Sequence, residues 1–258
     1  MASLETASNK SKSWPSLLVR GRKTNEIFMA YHYTKYLDAV AASGKAVYPI
    51  PCFAKAWQNR FDAETSDGIP IVAAGGGEPG VYPSGGPTVN VIDIWEQFTP
   101  DIDFISPDVY LNNYTKVCQN YWHRNQSLFI PEQRRDEYGA RRIWTAIESY
   151  AALGVSPFGI DTIVFEDKTW PRHYGLLSSV SSIILEAQQN ADTCIEFHFD
   201  EIAPQGEVEK YKPVVKHWDG LELTIERCFV FGKPGPGAGM VTRRGSGRFL
   251  LLGWGSRL

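Results

Sequence analysis

The sequence predicts an α/β protein that ends in a β-rich segment. Three observations carry this. Over residues 25–190, short apolar runs alternate with stretches whose apolar residues recur every three or four positions. Glycine and proline punctuate the joints between them. From residue 191 onward the helical stretches stop, and short β-type runs separated by turns replace them. Strands that alternate with helices imply parallel pairing with helical crossovers.

The elements follow in order. Residues 1–24 are rich in Ser and Lys with no sustained period, and form a disordered or unrelated N-terminus. Ile27, Ala30, Tyr31, Thr34, Leu37, Val40 and Ala41 predict a helix over 25–43, stopped by Gly44. AVYPIPCFA (46–54) predicts a strand broken by its two prolines. Residues 62–90, with GGGEPG and YPSGGP, predict a long loop. VIDIWEQF (91–98) predicts a short helix ended by Pro100, DFISPDVYL (103–111) a strand, and 115–125 a helix. LFIPE (128–132) predicts a third strand and 136–152 a helix with Ile143, Ile147 and Tyr150 on one face. SPFGIDTI (156–163) predicts a fourth strand and 174–189 a long helix. CIEFHF, LELTIERCFVFG, GMVTRR and GRFLLLGWG supply the antiparallel strands of 191–258.

Composition excludes several classes. The chain has 258 residues, 43% hydrophobic and 13% aromatic, enough for a sizeable core. A formal net charge of −3 with no basic stripe argues against a nucleic-acid partner. The apolar runs are too short to span a bilayer. MASLETASNKSKSW has no apolar leader core, which makes the cytoplasm the default location. Cys52, Cys118, Cys194 and Cys228 lie far apart and the histidines show no ligand spacing, so no metal is expected. GGGEPG lacks the strand-before, helix-after setting of a phosphate loop, so no cofactor is expected either.

Each expected strand ends in a polar or aromatic cluster: Lys55 and Trp57, Asp108 and Tyr110, Glu132, Asp161. In α/β folds the ligand sits at the carboxyl ends of the strands. Glu132 emerges there directly after the apolar run Leu128-Phe129-Ile130. Read singly, a strand-end glutamate is more often a surface residue paired with a neighbour such as Arg134 or Arg135. Four such ends in one alternating pattern favour function. Asp108 reads as a loop-capping residue. Asp161 can cap its loop or hold a ligand. Trp57 and Tyr110 can be core aromatics or ligand platforms. His32 and His173 lie on helices and pack there.

The blocks NEIFMAYHYTKYLDAVAASGKAVYPIPCFAKAW, PGVYPSGGP, IDFISPDVYL, FIPEQRRD and GVSPFGID occur in that order. Together they resemble the β-galactosidase-like glycoside hydrolases of family thirty-five, in the branch with a C-terminal domain of unknown function. The resemblance covers roughly residues 25–258, and IERCFVFGKPGPGAGMVTRRG matches that C-terminal domain. It implies the C-terminal half of a (β/α)8 TIM-type barrel, strands five to eight, over 25–190, and a small β-rich domain over 191–258. It implies a carbohydrate substrate and a retaining mechanism with two glutamates. By family position it implies Glu132 as the nucleophile, Tyr110 as a neighbour that tunes it, and Trp57, Asp161 and the loop at Tyr82 as walls of the sugar pocket. The family's acid/base glutamate follows an asparagine at a strand end. The single Asn-Glu pair here, Asn25-Glu26, opens a helix instead. The expectation is therefore a chain lacking the first barrel half, with self-association to cover open sheet edges. The competing expectation is a catalytically inactive fragment or a remnant that binds carbohydrate.

Overall fold

The computed structural model describes residues 21–59, 75, 78–124, 126–190, 192–202, 212–218 and 220–258. Of the disordered or unrelated N-terminus expected over 1–24, residues 1–20 fall outside these residues, as does most of the loop expected over 62–90, whereas residues 22–24 already belong to a helix. The chain divides into two compact units, residues 1–126 and 127–258. Among the described residues no helix is long and apolar enough to cross a membrane.

Unit 1 contains α1 (Arg22–Val47), β1 (Phe53–Ala56), α2 (Ile92–Phe98), β2 (Phe104–Val109) and α3 (Tyr114–Tyr121). Helix α1 runs through Gly44, the expected stop, and ends where Tyr48 turns extended. The stop is Pro49, which forces its predecessor out of the helical region. Pro49 and Pro51 also lack the N–H a ladder needs, so β1 begins only at Phe53. β1 and β2 are parallel, in register from Phe53↔Phe104 to Ala56↔Pro107. Below their amino ends the Asp103 carboxylate accepts from the Cys52 N–H at 2.7 Å and pairs with Lys45 at 2.7 Å. The Lys45 bond, followed by the Cys52 N–H, holds that carboxyl below its ordinary range. Ala54, Ala56, Ile105 and Val109 bury their side chains, as do Trp95 and Phe98 of α2. Tyr31 of α1 meets Phe98 edge to face at 5.1 Å, which joins the two helices.

Unit 2 opens with two parallel strands, β3 (Phe129–Gln133) and β4 (Gly154–Pro157), separated by α4 (Glu137–Arg141) and α5 (Ile143–Ser149). The helix expected over 136–152 is interrupted at Arg142. The strand expected over 156–163 stops at Pro157, and Ile160–Thr162 form a 3₁₀ turn. The long helix starts early, as α6 (Thr169–Ser179), and breaks at Val180 before α7 (Ser181–Gln188). Four serines surround that break, and Ser179 Oγ donates back to the Leu176 carbonyl at 2.7 Å. Serine bonding to nearby backbone competes with the helical ladder.

The remaining strands are β5 (Cys194–Phe199), β6 (Val214–Trp218), β7 (Leu221–Arg227), β8 (Phe229–Val230), β9 (Lys233–Pro234), β10 (Gly237–Gly245), β11 (Arg248–Trp254) and β12 (Ser256–Arg257). They pair antiparallel as β11-β10-β5, β12-β7-β6 and β8-β9. Phe197, Phe199, Ile225 and Val241 form their apolar core. Gly239 and Gly253 face each other across β10 and β11 with positive φ. A Cβ on Gly253 would meet the Ala238 carbonyl oxygen at 2.2 Å, so only glycine permits this approach.

Two contacts join these sheets to the helices of the same unit. Arg141 and Arg142, both buried, reach Asp200 just past β5, and Arg141 also holds Glu201. Pulling two successive guanidinium groups to one carboxylate fixes the backbone where α4 gives way to α5. Trp144 Nε1 of α5 donates to His173 Nδ1 of α6 at 3.1 Å, and His173 packs edge-on to Trp254 of β11 at 4.5 Å. An indole N–H can only donate, so His173 Nδ1 must accept and the ring is neutral.

His173 is 0% exposed, and burial, aided by the charges of Arg172 and Arg141, pushes its pKa from 6.5 down to about 3. The unfolded chain therefore takes a proton near pH 6.5 that the folded chain refuses. The contribution is complete above pH 6.5 and is lost as pH falls towards 3. Between pH 6.5 and 4.5 the unfolding free energy should drop by up to about 1.4 kcal/mol per pH unit from this residue. Urea unfolding of the protein and of His173→Gln across that range tests this. A wild-type slope no steeper than the variant's would rule it out.

Candidate functional site

The candidate groups stand at the carboxyl ends of the parallel strands in each unit. In unit 2 they begin at LFIPE. Leu128 and Ile130 are fully buried, worth about 1.5–3 kcal/mol each, and this seats the strand. The register with β4 then slips: Ile130 faces Val155, but Gln133 faces Pro157. β3 thus carries one residue more than β4 over this span, a bulge at Pro131-Glu132. Proline has no N–H to keep the ladder regular, and bulges re-aim side chains. Glu132, half-buried, stands on this bulge.

The residues after Glu132 are pinned. Gln133 is buried; its Nε2 donates to the Gly139 carbonyl at 2.8 Å and its own carbonyl accepts from the Phe158 N–H at 2.9 Å. Arg134 forks onto Asp136 at 2.8 and 3.1 Å and lies over the Tyr138 ring. Asp136 caps α4 by accepting from the Gly139 N–H at 3.0 Å. Burial pushes the Asp136 carboxyl up, but Arg134 and that N–H outweigh it and leave it below its ordinary range. Arg135 Nη1 donates to Thr162 Oγ1 at 2.7 Å, a neutral partner where the sequence suggested a carboxylate. Asp161 therefore sits, exposed, on a 3₁₀ turn tied to the end of β3, and not at the end of a longer strand.

In unit 1 Lys55 pairs with Asp108 at 3.4 Å across the strand ends. Trp57 is 43% exposed, and Tyr110, just past β2, is half-buried. Between them lies an amide cluster that strand-end reasoning passed over. Gln58 Nε2 donates to the Asp108 carbonyl at 2.6 Å, and Asn112 Nδ2 donates to Gln58 Oε1 at 3.1 Å. Asn59 is 2% exposed. The available signal was the pair of amide dipeptides, Gln58-Asn59 and Asn112-Asn113, that follow the two strands.

Tyr82 is placed differently from an open pocket wall. It is 4% exposed; its hydroxyl donates to Glu26 Oε1 at 2.6 Å and accepts from Asn90 Nδ2 at 2.8 Å. Burial, then the Glu26 contact, pushes its pKa well above the ordinary phenol value. Glu26 itself is buried in the first turns of α1.

Among the described residues one group has ligand-type atoms close enough for a metal: Asp93, Glu96 and His123, within 4.8 Å of one another. Arg124 already pairs with both carboxylates, at 3.0 and 3.3 Å, and puts a cation where a metal would sit. Burial raises the Glu96 pKa against the pull of His123 and Arg124.

Residues 171–258 match the family model of a domain of unknown function, DUF5597. The matched stretch holds most of α6, all of α7 and strands β5 to β12. No curated protein matches the chain.

Tyr82→Phe should destabilise unit 1 by about 1–3 kcal/mol, because the Glu26 carboxylate loses its donor inside the fold. Glu26→Gln should cost less, since an amide oxygen still accepts the phenolic proton. Thermal melts of the two variants check the order; the reverse order would show that the pair does not hold the Tyr82 loop.

Proposed function

We propose that the protein is a retaining glycoside hydrolase of the family-thirty-five type, acting on terminal β-galactosides, with Glu132 as nucleophile. The observation that carries the reading is Glu132 on the bulge that ends a parallel strand, half-buried, with the chain on both sides fixed. A nucleophilic carboxylate must meet the anomeric carbon at a set distance, which requires such anchoring. The DUF5597 match adds support, because that domain stands at the C-terminal end of some family-thirty-five-like glycoside hydrolases. Trp57 and Tyr110 offer aromatic faces to a sugar's C–H surface. Asp161 offers a carboxylate to its hydroxyls, on a turn that Arg135 holds by Thr162.

A second reading is binding of carbohydrate without turnover. One observation favours it. Glu26, the glutamate of the single Asn-Glu pair, is buried on a helix and engaged by Tyr82, so it is not presented to a leaving group.

Two aryl β-galactosides separate the readings. A very acidic phenol leaves without a proton from the enzyme, whereas a poor leaving group needs one. The expected result is hydrolysis of the activated substrate only, and loss of that activity in Glu132→Gln. The gap between substrates should reach about 10²–10⁴-fold, the usual contribution of general acid catalysis. Comparable turnover of both would mean that a second carboxylate acts as acid. Turnover of neither would leave the binding reading.

A further inference from the structure

We propose that unit 1 carries a carbohydrate subsite of its own, built around the buried side chain of Asn59. Among the described residues neither Asn59 Nδ2 nor Asn59 Oδ1 has a hydrogen-bond partner, and the residue is 2% exposed. Asn112 Oδ1 is buried and unbonded in the same way, although its Nδ2 is held by Gln58. Buried amides are ordinarily paired, so these atoms mark a place where hydrogen-bonding groups come from outside the chain.

The surroundings select the ligand. Asn59 and Asn112 line a recess of about 30 Å³, sized for a water or an inserted hydroxyl. It shares Val89, Asn113, Lys116 and Asn120 with a groove of about 650 Å³ along α3, within the range of small-ligand sites. The amides outnumber the charges in this lining. An amide presents a donor and an acceptor side by side, and so does a hydroxyl. One hydroxyl can accept from Asn59 Nδ2 and donate to Asn59 Oδ1, and its neighbour on a ring can donate to Asn112 Oδ1. A neutral polyhydroxylated ring fits this lining; a phosphate or carboxylate would leave the acceptor oxygens unmet. The inference shares with the glycosidase reading only the class of ligand, and it stands if Glu132 turns nothing over.

Side-chain amide NMR of the full ¹⁵N-labelled chain tests it, with methyl β-D-galactoside as probe and glycerol as control. The Asn59 and Asn112 NH₂ signals should shift and saturate with the sugar but not with glycerol. Asn59→Leu should weaken binding by about tenfold, the loss expected for one well-made polar contact. Should that variant fail to fold, Asn120→Ala at the rim should weaken the sugar while leaving the Asn59 signals in place. Three results overturn the proposal: equal shifts with glycerol, unshifted Asn59 signals at saturating sugar, or unchanged affinity in both variants. Equal shifts would mean that the recess takes any small polyol, and the other two results that the sugar does not use it. The two readings fail separately. Shifts at Asn59 without aryl galactoside turnover would sink the glycosidase alone. Turnover lost in Glu132→Gln with silent Asn59 signals would sink the subsite alone.

Discussion

A buried guanidinium must be paired, and much of unit 2 is arranged to meet that demand. Arg141 and Arg142 lie side by side beneath the surface with Asp200, and Arg141 also reaches Glu201. Burial alone would raise the Asp200 carboxyl, yet Arg142 and then Arg141 bring it below its ordinary range. Removing one member would strand the others, which is why such clusters are costly to break even when their net stabilisation is modest. The cluster breaks α4 from α5 at Arg142 and ties the helical layer to the end of β5. The neutral His173, held between Trp144 and Trp254, makes a second tie between the same layers.

That anchoring bears on chemistry through β3. The strand is seated by Leu128 and Ile130, bulged at Pro131, and held again by Gln133. Gly139 completes the arrangement, since a Cβ there would meet the Arg134 carbonyl oxygen at 2.2 Å. Glu132 therefore occupies a short, half-buried step between two fixed points. Unit 1 solves the same problem with amides. Gln58 ties the ends of β1 and β2 together through the Asp108 carbonyl and Asn112, and leaves Asn59 facing a recess.

The parallel strands were legible where their signals are local. β2 and β3 sit on the apolar runs expected for them, whereas β1 begins only at the end of its expected run and β4 ends two residues into its own. Boundaries moved where proline or serine acted on the backbone: Pro49 and Pro51 delayed β1, and the serines around Val180 divided the last helix. Of the expected site, Glu132 at the end of β3 and the aromatics Trp57 and Tyr110 beyond β1 and β2 were readable, since strand-end position follows from the run before it. Tyr82 and Asp161 were less so. The first turns inward to Glu26, 56 residues away, and the second rides a 3₁₀ turn set by an arginine 27 residues away from Thr162.

By itself, then, the sequence determined which segments pair as parallel strands, where antiparallel pairing takes over, and that polar groups crowd the strand ends. Periodicity and turn chemistry act over a few residues, and they suffice for that. The tertiary structure alone decided the partners of those polar groups. Arg135 meets a hydroxyl, Tyr82 a buried glutamate, Arg141 and Arg142 a shared aspartate, and Asn59 none among the described residues. Hydrogen bonds and ion pairs between distant segments depend on ångström-scale placement, and no local pattern encodes that distance.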